Sequence, residues 1–154
     1  MAYAHSYTIT LENNISEKEA INYLLKTDLN FINPDKESRK RLLEIIGIDK
    51  KYSKAYDLIL IPGFTNLNEI IELENFDQII FVELKTTKKY LPELPKGFFF
   101  GATQNEFDFA ELLGNRFQFC FVSLNDKSLS YKLLSLNELE SIIRTKRIQY
   151  QINL

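Results

Sequence analysis

Apolar positions along the chain fall into short runs and stripes whose spacing marks the elements. Ser16 and Glu19 form a capping box ahead of Ala20, Ile21, Leu24 and Leu25, which predicts a helix over 17–26. The alternation Tyr7-Thr8-Ile9-Thr10-Leu11 reads as a short strand before it. Asn33-Pro34 offers an N-cap and a first-turn proline to a second helix over 34–46, closed by Gly47. Its Leu42, Leu43, Ile45 and Ile46 would pack on a sheet. Residues 56–61 form an apolar strand stopped by Pro62-Gly63, and residues 68–73 read as another strand. The run over 78–85 is a third, ending in Glu83-Leu84-Lys85. A proline-containing loop over 88–97 leads through Phe98-Phe99-Phe100-Gly101 to a second capping box, Thr103-x-x-Glu106. The helix it opens should reach Leu113 and stop at Gly114. Arg116 to Leu124 is a strongly apolar strand, Leu129 to Leu134 an edge strand, and Leu136 to Arg147 a terminal helix. The order of elements implies an α/β layer architecture with a mixed sheet.

Bulk properties narrow the class. At 154 residues, 45% hydrophobic and 13% aromatic, the chain can fold as one domain over 1–154 with a real core. No apolar run is long enough for a membrane span, and the N-terminal segment lacks a signal-peptide pattern. A lone cysteine, Cys120, permits no internal disulfide, so a reducing cytoplasmic setting is expected. With one Cys and one His there is no ligand set for structural zinc. The net charge of −2 gives no overall sign of nucleic-acid binding. Its distribution is uneven. Asp35 to Lys54 carries seven basic residues against four acidic, and Lys85 to Lys96 four lysines against one acid. These stretches can flank a phosphate-binding site or be ordinary solvated lysines.

The chemistry concentrates at the strand ends. With a period of two, Glu83 and Lys85 share one face of their strand and Leu84 takes the other. The upstream strand opens with Asp57. Asp57 and Glu83 provide two carboxylates for a hard cation, Mg2+ with Mn2+ as substitute, and the backbone carbonyl of Leu84 is a further candidate ligand. Lys85 can orient an attacking water or offset developing charge. The competing explanation of Glu83 and Lys85 is a solvated ion pair, and that of Asp57 a polar residue at a strand mouth.

An Asp-led strand followed by Glu-x-Lys resembles the PD-(D/E)XK nuclease superfamily, with Tyr56 where its name has proline. The series Phe81-Val82-Glu83-Leu84-Lys85-Thr86-Thr87, Phe98-Phe99-Phe100, Thr103-Gln104-Asn105-Glu106 and Phe117 to Val122 is similar to one branch. That branch comprises the nuclease-like domain at the C-terminus of plant NO VEIN proteins and its bacterial, restriction-associated relatives. The likeness spans about residues 56–124. It implies a restriction-endonuclease-like mixed central sheet flanked by helices, and Mg2+-dependent endonucleolytic hydrolysis of DNA with Asp57, Glu83 and Lys85 catalytic. Cutting both strands of a duplex needs two sites or two visits, so a homodimer is an expected partner state, with Ile142-Ile143 either a contact between copies or packed internally. The alternative function is a non-catalytic module of the same fold that binds nucleic acid or protein.

Other residues have structural readings beside functional ones. Glu106 fits its capping box, with a role near the metal as the alternative. Gln104 begins the same helix and can face the site. Glu44 is a candidate helix carboxylate for the metal, although its angular position favours solvent. Thr86 and Thr87 extend the strand and either bind phosphate or serve β propensity. His5 is expected to be solvated, and the phenylalanines at 98–100, 107, 109, 117, 119 and 121 to be core rather than a base-stacking platform.

Overall fold

A computed structural model describes the backbone of residues 2–73 and 76–154, with the side chains from residue 15 onward except that of Leu73. Helix α1 (Ala2–Thr27) leads into a two-residue strand β1 (Phe31–Ile32) and helix α2 (Lys36–Ile45). Strand β2 (Leu58–Leu60), helix α3 (Leu67–Leu73) and strand β3 (Ile80–Thr87) follow. Helix α4 (Gln104–Leu113), strands β4 (Phe117–Ser123) and β5 (Ser130–Leu134), and helix α5 (Leu136–Ile142) complete the chain's regular elements. The five strands form one mixed sheet in the order β1-β2-β3-β4-β5, parallel only between β3 and β4. The fold class is α/β, a mixed sheet flanked by helices, as the pattern of elements implies.

The sheet buries both faces because its strands alternate. Ile59, Phe81, Phe117, Phe119 and Phe121 point to one side and pack with Leu42 and Leu43 of α2, Phe109 and Ala110 of α4 and Leu139 of α5. Leu58, Val82, Leu84, Cys120 and Val122 point to the other and meet Ala20 and Leu24 of α1. Phe109 centres the larger core, stacked on Tyr52 at 5.0 Å between ring centroids and edge-on to Phe81 at 5.3 Å and Phe117 at 5.5 Å. Deep burial raises the Cys120 thiol far above its ordinary range, leaving it a small apolar filler.

Of the two capping boxes expected, Thr103 with Glu106 is present, whereas Ser16 and Glu19 lie inside α1 and start no helix, and α2 is capped by Asp35 rather than Asn33. In α4 the Thr103 hydroxyl accepts from the Glu106 N–H at 3.2 Å while the Glu106 carboxylate accepts from the Thr103 N–H at 2.9 Å. Ser135 and Glu138 repeat the arrangement at α5, a box that the sequence reading did not single out. Gly114 ends α4 with φ at +59°.

Four elements depart from expectation. Residues 7–11 are helical, because α1 runs unbroken from Ala2 and a helix satisfies its backbone without a partner edge. Residues 68–73 belong to α3: Leu67, Ile70 and Ile71 stand at helical spacing, and Asn66 accepts from the Asn68 N–H at 2.8 Å in a turn that starts the helix. The terminal helix stops at Ile142, where Ile143 turns extended to pack on the core. Ile142 itself is half-exposed, and residues 144–154 are exposed and outside regular structure. The two-residue β1 was too short for periodicity to reveal.

No helix among the described residues is long and apolar enough to cross a membrane.

Candidate active site

The site occupies a notch in the sheet. Antiparallel pairing of β2 with β3 begins at Leu58 opposite Val82, so beyond Val82 strand β3 keeps only β4 as a neighbour. Asp57 sits where the β2 ladder stops. Its N–H donates to the Val82 carbonyl at 2.8 Å, and its carboxylate Oδ2 accepts from the Leu84 N–H at 2.8 Å, replacing the backbone acceptor that β2 no longer supplies. The N–H and carbonyl of an extended residue point to the same strand edge, so the Leu84 carbonyl also opens toward this notch.

Tyr56 and Arg39 hold Asp57 in place. The Tyr56 hydroxyl donates to the Arg39 carbonyl at 2.9 Å, and the Arg39 guanidinium donates to the Tyr56 carbonyl at 2.8 Å. The Tyr56 ring packs edge-on to Phe81, so a buried aromatic fixes the strand entry where the resemblance has proline. Arg39 also donates to the Pro34 carbonyl and the Asn33 side chain and is a clamp between α2 and β2.

Glu83 and Lys85 project from β3 to one face, as the period of two requires. There Lys85 Nζ donates to Glu83 Oε1 at 3.3 Å and to Glu106 Oε1 of α4 at 2.5 Å. Glu106 is buried, and its second oxygen accepts from both the N–H and the hydroxyl of Thr103. One residue thus caps α4 and grips Lys85. Glu83 is also buried; its Oε2 has no hydrogen-bond donor. This is no solvated ion pair.

The charges set protonation. Burial, reinforced by the Asp57 carboxylate within hydrogen-bond reach, holds the Glu83 carboxyl well above its usual range despite Lys85. Burial works against the charge of Lys85, but Glu83 and Glu106 outweigh it and raise the ammonium's affinity for its proton. Burial likewise opposes charge on Glu106, and Lys85 and Thr103 overcome it, so its carboxyl is held low. Lys85 and Glu106 are therefore an ion pair, and Glu83 is the strained member.

Glu17 was missed from the sequence. Its carboxyl reaches Asp57 from α1 and is pushed upward in pKa, by burial first and by Asp57 next. The signal was its spacing: Glu17 precedes buried Ala20 and Leu24 by three and seven residues, on the sheet-facing stripe of α1. Glu44, the helix carboxylate considered earlier, instead faces solvent beside Lys50. Gln104 is exposed and donates to Asp108 at 2.8 Å along its own helix. Thr86 and Thr87 continue β3, and the Thr87 hydroxyl accepts from the Lys89 N–H. His5 lies on the α1 backbone, with its side chain outside the described residues.

The phenylalanine expectation needs one correction. Those at 98, 100, 107, 109, 117, 119 and 121 do pack in the core or against it. Phe99 does not: it is 93% exposed, because in its loop the two neighbouring rings take the inward positions.

Among the described residues no three Asp, Glu, His or Cys side chains gather around one point as a metal cluster. Glu17, Asp57 and Glu83 instead form a chain of neighbouring carboxylates. The oxygen donors that a hard cation would need here are Asp57, Glu83 and the Leu84 carbonyl, and the Glu83 Oε2 is buried without a hydrogen-bond donor. No family model, curated protein or solved structure matches this chain.

Proposed function

We propose that the protein is a Mg2+-dependent endonuclease acting on DNA phosphodiester bonds, of the PD-(D/E)XK kind that its Asp57 and Glu83-x-Lys85 resemble. One observation carries the reading: a buried Glu83 oxygen without a donor, against Asp57 and beside a lysine that is itself fixed. A structural ion pair has no need of a second carboxylate beside its acid; Glu83 and Asp57 repel unless a proton or a cation lies between them, and a divalent cation would take that proton's place.

Asp57, Glu83 and the Leu84 carbonyl would hold the ion. A magnesium ion bound there would supply Lewis acidity to a water and to the phosphate oxygens. Lys85 carries a full positive charge, secured by Glu106, and is the cation available to orient the attacking water and balance charge as the phosphate is attacked. Glu17, next to Asp57 and held toward its neutral form, is placed to exchange a proton at the α1 side of the notch. Two copies working on opposite strands would sever a duplex.

The test compares wild type with Glu83→Gln and Lys85→Met on DNA and RNA in magnesium or manganese, with calorimetric metal titration alongside. Glu83→Gln should lose metal affinity, Lys85→Met should keep nucleic-acid binding, and both should lose about a hundred-fold or more in cleavage rate. Cleavage by Glu83→Gln at the wild-type rate ends the reading. If wild type cuts nothing across the panel, the protein is a non-catalytic binding module.

A further inference from the structure

Phe99 is 93% exposed between two neighbours that are packed. The flanking rings of Phe98 and Phe100 both pack edge-on to Phe121 of β4, at 5.0 and 5.1 Å between centroids, and on each other at 6.1 Å. The loop is thus pinned on either side of the residue whose ring it holds in water. An isolated exposed apolar residue is ordinary, and the argument comes from where this one stands. The Phe100 ring centre lies 5.9 Å from Lys85 Nζ, and Thr103, at the loop's end, bonds the Glu106 that grips Lys85. At the loop's other end Lys88, Lys89 and Tyr90 are exposed directly beyond β3. An exposed ring one residue from the Phe100 that packs over Lys85, with exposed lysines and a tyrosine at the other end of the same loop, is a combination suited to single-stranded nucleic acid.

We propose that Phe99 is a stacking platform for an unpaired base of the strand held at the Lys85 site. The ligand class is single-stranded or locally unpaired nucleic acid, because bases inside an intact duplex are already stacked and offer no free face. Stacking is tolerant of base identity, so this contact selects strand state rather than sequence. The inference rests on the nucleic-acid reading of the site but not on hydrolysis.

The chain contains no tryptophan, so Phe99→Trp places a single fluorescent reporter on the loop. In magnesium-free buffer its emission should be quenched by a short oligothymidylate and little changed by a duplex of the same length. Phe99→Ala should bind a labelled oligothymidylate about ten- to a hundred-fold more weakly than wild type by anisotropy, with duplex affinity unchanged. Binding without quenching, or equal single-strand affinity of Phe99→Ala and wild type, overturns the proposal. Quenching by a protein that cuts nothing supports this inference while removing hydrolysis. Duplex cleavage untouched by Phe99→Ala, with no quenching, leaves hydrolysis standing and removes this inference. Failure to bind either strand state removes it as well.

Discussion

Glu83 is the residue at which folding and the proposed function pull in opposite directions. Its folded pKa is raised, so the native state favours the protonated form. Above the ordinary carboxylate value of 4.5 the unfolded chain ionises freely while the native carboxyl resists, and stability falls with rising pH up to the folded pKa. Removing the charge removes that slope. Metal-free Glu83→Gln should therefore melt at higher temperature than wild type at neutral pH, with the gap closing as pH falls toward 4.5. Thermal denaturation at several pH values checks it, and a less stable Gln variant at pH 7 would contradict the strain described for this side chain. Glu106 behaves oppositely, its pKa being lowered: its stabilising pair with Lys85 is present above 4.5 and lost as pH falls through its folded value. Of these roles, Glu83 and Lys85 were legible from alternation, because a strand reports which side chains share a face. The grip of Glu106 on Lys85 was not. Two residues far apart in sequence meet only after α4 has docked on the sheet.

Among the elements, α4 has two functions, since its N-terminal cap also positions Lys85. Replacing Thr103 by Ala removes the cap and both Thr103 hydroxyl bonds, which should cost about 0.5–2 kcal/mol in urea denaturation, while Thr103→Ser retains most of it. The same helix carries Phe109, fully buried among Tyr52, Tyr56, Phe81 and Phe117. Phe109→Ala should cost about 3–5 kcal/mol by the same measurement, because four facing rings cannot collapse into the space. The capping box announced α4 in the sequence through local hydrogen-bonding chemistry. For α3, β-branched Ile70 and Ile71 read as strand, and the helical spacing with Leu67 decided otherwise once the segment had a core to pack on.

Across the whole molecule, the exposed lysines and arginines of α2 and the following 3-10 turn lie on the chain that leads into Tyr56 and Asp57. If Lys36, Lys40, Arg41, Lys50, Lys51 and Lys54 meet phosphates, log–log plots of DNA affinity against salt should have a slope of about −0.9 per contact. Charge-reversing Lys50 and Lys51 together should flatten that slope by about two contacts. A salt-independent affinity would assign these residues to the solvated surface. The net charge of −2 is no obstacle, since screening lets a local patch act over about 10 Å at ordinary ionic strength.

Amphipathic spacing and capping chemistry were sufficient for most of the helices and strands, for the mixed α/β class and for the shared face of Glu83 and Lys85, because these depend on near neighbours along the chain. They also placed Asp57 at a strand mouth. Only the tertiary structure decided that β2 stops short of Leu84, that the Asp57 carboxylate takes over its missing ladder bond, and that Glu17 and Glu106 arrive from helices on opposite faces. Phe99 reads as core in any local window, since three consecutive phenylalanines look alike. Docking of its two neighbours on Phe121 left no inward position for the third, and that long-range packing put its ring in water.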